Sequence, residues 1–492
     1  MKRLLKSDIS LVEMIKDIQN KLGSPNDLTV REFTLANGST HCAVIFLSGL
    51  TNKELIYQFV IHPLQYEELP KEDASMQMLV ESLFSITDIS TTETLPDVIN
   101  GVLAGDTVIF IENMTPAFIV NSRKWETRSI QAPSTESLIR GPQIGFIEDV
   151  NTNKVLIRRH VRDPKLRFKS YIVGKRSQKE VVLVYIEDII HPYIVEELNR
   201  RIQSIEIDVV LETGAIEQLI QDNILSPFPQ FLNTERPDNV VSSLMKGKAA
   251  ILVDGTAFAL VAPMVLVDVF QSTEDNYERW MIGTLLRFLR MGSAMIAVLL
   301  PATYVALVSY HQGLIPSKLA YSIAGAREGV PFPAYIETLI MAFTMELIRE
   351  AGIRLPKPMG QTIGIVGGLV IGEAAVSAGI VNPFLVIVIA VTAIATFSLP
   401  VYSITITFRI LLFLFVLAAT VFGLYGIILA LTALAVHLTN LTSVGVPYLT
   451  PIVPAFYTDW KNEIFHLPKS MITKRPEYLQ PKDDTLRPKE RK

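Results

Sequence analysis

The residues best placed to do chemistry lie in a stretch that is otherwise almost free of charge. Between Pro358 and Phe408 the only charged side chain is Glu373. At 100° per residue, a helix over Gly360–Ile380 gathers Gly360, Gly364, Gly368, Gly372 and Gly379 mainly on one broad face, with Gly367, Ile371 and Ala375. Thr362, Val366, Leu369, Glu373 and Ser377 fall on the opposite face. The glycine face suits close helix packing in lipid, where small residues let backbones approach. The other face carries an acid, which costs about 2.5–3.5 kcal/mol at mid-bilayer on insertion scales and so should meet protein or water. Three readings follow. In a ring of identical subunits this stripe lines a pore, with the acid favouring cations and Val366 or Leu369 gating by dewetting. Alternatively Glu373 contacts a partner, or is buried for structural reasons alone.

Such a helix needs a membrane around it. The chain has 492 residues, 49% of them hydrophobic, with a mean hydropathy of +0.34. Charge is dense up to about Arg290, sparse to Thr458, and dense again to Lys492. Met291–Tyr310 is uncharged for about 30 Å of helix, one hydrocarbon thickness, and Arg287 and Arg290 precede it. A helix is expected from Ala334 to Ala351 after Pro331-Phe332-Pro333, with Glu346 pairing locally with Arg349, and with Glu337 sharing the ambiguity of Glu373. Phe384–Leu399 and Ile410–Val436 read as further spans. The clean count is five, yet basic flanks put both ends on one side, which requires an even number. A re-entrant segment or an irregular crossing by the Pro-rich 438–457 stretch would repair the parity.

The N-terminal half is different. Leu103–Glu112 and Met245–Asp254 each read as a helix end at glycine, a strand, an acidic turn and a returning strand. Cys42–Leu47 and Val181–Ile186 repeat at a similar offset of roughly 140 residues. A duplicated α/β module is therefore expected at about 24–138 and 155–275. Ala249–Phe270 is apolar enough to pass for a span, but Asp254-Gly255 inside it favours a hairpin. The fold class is thus an α/β soluble N-terminal region plus an α-helical polytopic membrane domain. Its divisions are 1–138, 139–285, 286–457 and a basic cytoplasmic tail at 458–492.

Other function classes find little support. Net charge is −4, so nucleic acid is not an expected partner. A single cysteine, Cys42, excludes a disulfide framework. Charges interrupt the first residues, so no signal peptide is expected and the N-terminal region should stay cytoplasmic. Phosphate-loop, zinc-protease and nucleophile-elbow motifs are missing, and the seven His show no ligand spacing. No enzyme activity, cofactor or metal site is expected. Arg158-Arg159-His160 reads either as a docking patch or as a charged, solvated edge.

Several motifs stand in order: Ser226-Pro227-Phe228-Pro229-Gln230, Thr234-Glu235-Arg236-Pro237-Asp238, Tyr277-Glu278-Arg279-Trp280, His311-Gln312-Gly313-Leu314-Ile315-Pro316, Arg327-Glu328-Gly329-Val330-Pro331-Phe332-Pro333, Arg349-Glu350-Ala351-Gly352-Ile353-Arg354-Leu355-Pro356 and Gly372-Glu373-Ala374-Ala375-Val376. With them the chain resembles the A subunits of GerA-type spore germination receptors, over about residues 25–468. The resemblance implies a multi-pass protein of the inner spore membrane beside a transporter-like B subunit and a C-subunit lipoprotein. It implies a role in turning nutrient detection into ion release, as a homo-oligomeric, nutrient-gated channel. A non-conducting scaffold or an auxiliary paralogue is the alternative. Nutrient binding is usually assigned to the B subunit. Glu373 stands where such proteins often carry Gln, which implies stronger cation selectivity here; Ala257 replaces a common Pro, and Gln143-Ile144 and His160 also depart from the pattern.

Overall fold

The computed structural model describes residues 11–487, apart from 24, 26, 37, 39, 67–88, 113, 124–131, 134, 137, 139, 355–367 and 369. The chain forms two units. The first comprises Met1–Gln221, Phe231–Pro263 and Thr473–Lys492; the second comprises Asp222–Gln230 and Met264–Ile472.

The first unit holds the duplication. Helix α1 (Leu11–Leu22) precedes β1 (Leu28–Thr34) and β2 (His41–Leu47). Strand β3 (Ile89–Thr92) is followed by α2 (Leu95–Ala104), β4 (Thr107–Ile111) and β5 (Ala117–Val120). Helical turns over 53–66 follow β2, and the second copy has the same order of elements: α3 (Val150–His160), β6 (Leu166–Val173), β7 (Lys179–Ile186), then helices α4 (Pro192–Gln203) and α5 (Thr213–Ile220), β8 (Leu232–Thr234), α6 (Pro237–Lys246), β9 (Ala249–Val253) and β10 (Ala259–Ala262). Both sheets are antiparallel with equivalent orders, β1-β2-β4-β5-β3 and β6-β7-β9-β10-β8. The helix before β4 ends at Gly105 (φ 93°) and its counterpart at Gly247 (φ 101°). Both are left-handed caps, a conformation that glycine adopts without a Cβ clash.

Strand β2 is apolar throughout because both faces are covered. Ala43, Ile45 and Leu47 pack beneath α1 and α2. Cys42, Val44 and Phe46 pack on the other side with Ile56, Val60 and Leu64. A strand buried on two faces loses the alternating pattern. The first part of Ala249–Phe270 is a hairpin, as Asp254-Gly255 suggests: β9 and β10 pair across that turn, and Gly255 has φ 84°. The two modules are tied by a bidentate ion pair, Arg158 Nε to Asp27 Oδ2 at 2.6 Å and Nη2 to Oδ1 at 3.0 Å. The Arg158 side chain is only 3% exposed. Residues of the C-terminal segment also belong to this unit. Arg475 Nε donates to Met245 O (2.9 Å), the Lys482 amide donates to Ile189 O (2.8 Å), and Tyr478 and Leu479 are buried.

The second unit is helical: α7 (Trp280–Ser309), α8 (Ser317–Arg327), α9 (Ala334–Arg354), a helical stretch over 370–377, α10 (Pro383–Phe397) and α11 (Tyr402–Asn440). Two of these, α7 and α11, are long and apolar enough to cross a bilayer by length and composition. Helix α11 differs from the single span expected over Ile410–Val436. It breaks at Gly423, where φ is 58° and ψ is −136°. The chain reverses there, so that no space exists for a Cβ on Gly426 against the carbonyl of Ala418. The far ends agree with a reversal. Thr407 donates to the Pro227 carbonyl, and His437 Nε2 lies 2.9 Å from Ser226 Oγ. Adjacent residues thus touch positions sixteen before and fourteen after the break, which a straight helix would hold about 45 Å apart. The apex sits against the end of α7, where the Tyr310 hydroxyl donates to the Thr420 carbonyl.

Candidate functional site

The 370–377 helix presents two contrasting faces. Gly372 is buried, and a Cβ on it would lie 3.5 Å from Val386 Cγ1 of α10. Ala375 and Val376 are half-buried on the same side. The opposite face, Val370, Ile371, Glu373, Ala374, Ser377 and Ala378, is exposed, with Val370, Glu373, Ala374, Ser377 and Ala378 at spacings of three and four. Its composition sets it apart. Exposed positions on α10 are Ile387, Val391, Ile394 and Phe397, and on α11 they include Leu414, Leu417, Val421 and Phe422. Those bulky aliphatic and aromatic groups suit lipid. The acid and the hydroxyl beside Val370 and Ile371 do not.

A buried polar knot fixes the C-terminal end of this helix. Glu337, fully buried on α9, accepts from the Asn382 amide at 3.0 Å. Its other oxygen forms an ion pair with Arg327 Nη2 at 3.1 Å, off-axis for a hydrogen bond. Asn382 Oδ1 caps α10 through the Phe384 amide (2.8 Å), and its Nδ2 reaches Ile323 O of α8 at 3.4 Å. Between the helix and Asn382 the chain turns at Gly379 (φ 67°), where a Cβ would approach Gly329 O at 3.3 Å. One acid therefore joins three helices next to the turn that follows the Glu373 helix. A second charged group lies lower on α9. Glu346 pairs with Arg349 at 3.1 Å, as its spacing suggests, and also with Arg409 of α11 at 3.3 Å. The Arg349 guanidinium stacks 5.3 Å over the Phe397 ring. These pairings let buried charges persist among apolar helices.

Of the stripe named from sequence, Glu373 and Ser377 lie together on the exposed face. Gly372 packs against α10, Gly379 forms the turn, and Gly368 is half-buried with open space around its Cα. Thr362, Val366, Leu369, Gly360 and Gly364 lie outside the described residues. Asn382, Arg327 and Arg409 were not singled out by spacing. Asn382 and Arg409 signalled only as polar residues beside a long apolar run, and Arg327 only as part of a motif with no role attached. Of the basic cluster, Arg158 is an inter-module ion pair, while burial beside Arg159 holds the His160 imidazole below its usual pKa despite the nearby Asp238 charge.

Residues 16–478 match the family described as Bacillus/Clostridium GerA spore germination protein. The chain is 74% identical to spore germination protein GerLA of Bacillus cereus over the whole of both chains. It is 39% identical to spore germination protein B1 of Bacillus subtilis, covering 97% of this chain and 99% of that one. It also resembles the solved N-terminal domain of the A subunit of the Bacillus megaterium spore germinant receptor GerK3, at 28% identity and a TM-score of 0.43, over 54% of this chain and 98% of that one. The family match over residues 16–478 and the two near-complete sequence matches show the lineage: this membrane protein belongs to the GerA family of spore germination proteins, as an A-type germinant-receptor subunit.

Proposed function

We propose that this subunit assembles with copies of itself around the Glu373 stripe to form a cation pathway that opens during nutrient-triggered germination. It acts without catalysing a reaction, in the inner spore membrane, beside a transporter-like B-type subunit and a C-type lipoprotein. The observation that carries this reading is the exposed acid and hydroxyl of Glu373 and Ser377, on a helix whose Gly372 already packs against α10 inside the protomer. Lipid is a poor cover for that stripe, and a second copy offering the same stripe is a good one. A ring of carboxylates then attracts cations.

The reading includes six crossings with the N-terminal region cytoplasmic. Three features support that number. The C-terminal segment packs on the second α/β module, so both lie on one side of the membrane. Helix α11 reverses at Gly423 and supplies two crossings of about 31 Å and 25 Å. Helices α7, α9 and α10, with the helix over 370–377, are the elements assigned to the other four. Arg287, Arg290, Arg349, Arg354 and Arg409 then fall toward the cytoplasmic ends.

Ion flux from liposomes holding the purified chain tests the proposal. Wild type should conduct cations, and Glu373→Gln should lower cation-over-anion selectivity with the oligomer intact. Flux and selectivity that ignore both Glu373→Gln and Val366→Ala would leave the non-conducting scaffold as the better account.

A further inference from the structure

Ser226-Pro227-Phe228-Pro229-Gln230 has no part in the pathway above, yet the loop it belongs to is built with care. Gln230 is fully buried. Its Oε1 accepts from the Asp222 and Asn223 amides at 2.6 and 3.0 Å, and its Nε2 returns a hydrogen bond to Asn223 O at 2.7 Å. The Asp222 carboxylate accepts from Thr442 Oγ1 (2.5 Å) and the Val444 amide (3.0 Å). Asn223 Oδ1 accepts from the Leu225 amide at 2.9 Å. The buried ring of Phe228 packs 6.0 Å from His437 and 6.1 Å from Tyr448. All this scaffolding holds two aliphatic side chains away from the protein: Ile224 is 75% exposed and Leu225 94% exposed. A rigid loop that displays its apolar residues gains nothing from water.

The geometry points to a lipid anchor: the Ile224–Leu225 tip inserts into the headgroup–acyl boundary of the leaflet next to the outer flanks of α11. The occupant is argued from continuity. Ser226 touches His437, and Pro227 touches Thr407, so the tip emerges where both arms of α11 end. At that level Tyr402, Ile406 and Val436 are exposed apolar side chains on the arms themselves. Tip and arms therefore continue one apolar surface. An aromatic such as Tyr402 at its rim is what a headgroup region favours. Insertion to about 5–10 Å is the depth reached by interfacial apolar groups. The anchor would hold the cytoplasmic ends of α11 at a fixed depth. This inference rests on the six-crossing reading only in taking α11 to span.

The test places cysteine at 225 in the full chain, reconstituted in phosphatidylcholine–phosphatidylglycerol vesicles, and labels it with an environment-sensitive fluorophore. Native Cys42 is buried with its thiol pushed up to about 12, so it stays unlabelled. Leu225→Cys leaves packing intact because the side chain touches little, and Ile224→Cys serves as a second site. Nitroxide lipids labelled near the headgroup should quench the fluorophore about twofold or more, with aqueous iodide much less effective, as shallow insertion requires. Quenching by iodide and not by lipid puts the tip in water and overturns the inference. Protection from both means a protein covers it, which also overturns it. Leu414→Cys, mid-arm on α11, separates the two readings: if it is quenched by deeply labelled lipid while position 225 is not, the anchor fails alone. If neither is quenched, the membrane placement of α11 falls too.

Discussion

Replacing Gly423 by alanine should unseat the reversal of α11. The backbone there has φ 58° and ψ −136°, a combination close to the region that only glycine visits freely. Holding a Cβ in such a conformation costs about 1–3 kcal/mol. The added methyl also meets the His311 ring at 2.8 Å and Tyr310 Cβ at 3.1 Å. The ring can swing aside, but Tyr310 Cβ cannot, and such overpacking adds about 1 kcal/mol or more. The total is roughly 2–4 kcal/mol, enough to melt a locally stable turn. The assay is unfolding of the detergent-solubilised chain, followed by hydrogen exchange at amides 419–427. Gly292→Ala is the control, since its Cβ would meet nothing within 4 Å. Helical glycine to alanine at that exposed site should be neutral or stabilising by up to about 1 kcal/mol. Equal behaviour of the two variants would mean α11 runs straight, and the count of six crossings would be lost.

Two further outcomes concern the α/β unit. Arg158→Ala leaves Asp27 facing a vacated, buried site and should lower stability by about 3 kcal/mol in urea unfolding, with Phe168 losing its guanidinium cover at 4.8 Å. A loss below about 1 kcal/mol would show that the modules are not held together there. Burial pushes Glu217 and Glu136 up to about 7, against Thr234 and Arg236 in the second case. Between the usual carboxylate value of 4.5 and about 7 the folded chain therefore keeps protons that the unfolded chain has lost. Stability should fall as pH rises through that window, and Glu217→Gln should flatten part of the fall. A thermal midpoint that rises across the same window in wild type would contradict this.

Much of the fold could be read from residue order because local chemistry and tertiary structure agreed. Asp254-Gly255 marked a hairpin, and the structure has one. The paired strands near Cys42 and Val181 pointed to a duplication, and the two sheets share one order. Helix α11 was misjudged for a physical reason. In an uninterrupted apolar run hydropathy reports only length, and a lone glycine such as Gly423 looks the same in a straight helix as at a reversal. In the basic tail, charge spoke only to the side of the membrane; that Tyr478 and Leu479 are buried on the α/β unit carried no signal of its own. At the candidate site, Glu373 was visible as a solitary acid, and it is exposed together with Ser377, while Ile371, which the wheel puts on the glycine face, is exposed as well. The Arg327–Glu337–Asn382 knot was not visible, since its members are separated along the chain and meet only through the packing of three helices.

The central claim is that the Glu373 face meets another copy of the chain. Ser377→Cys measures it directly, because Ser377 shares that exposed stripe and the native thiol at Cys42 is buried. Treatment of native membranes with a short bismaleimide should yield covalent dimers and higher oligomers from Ser377→Cys and none from cysteine placed at the exposed Ile387 of α10. Monomer alone at both positions, with the thiol introduced at position 377 labelled readily by a lipid-borne maleimide, would mean the acid-bearing stripe faces acyl chains, and the proposed pathway would have no wall.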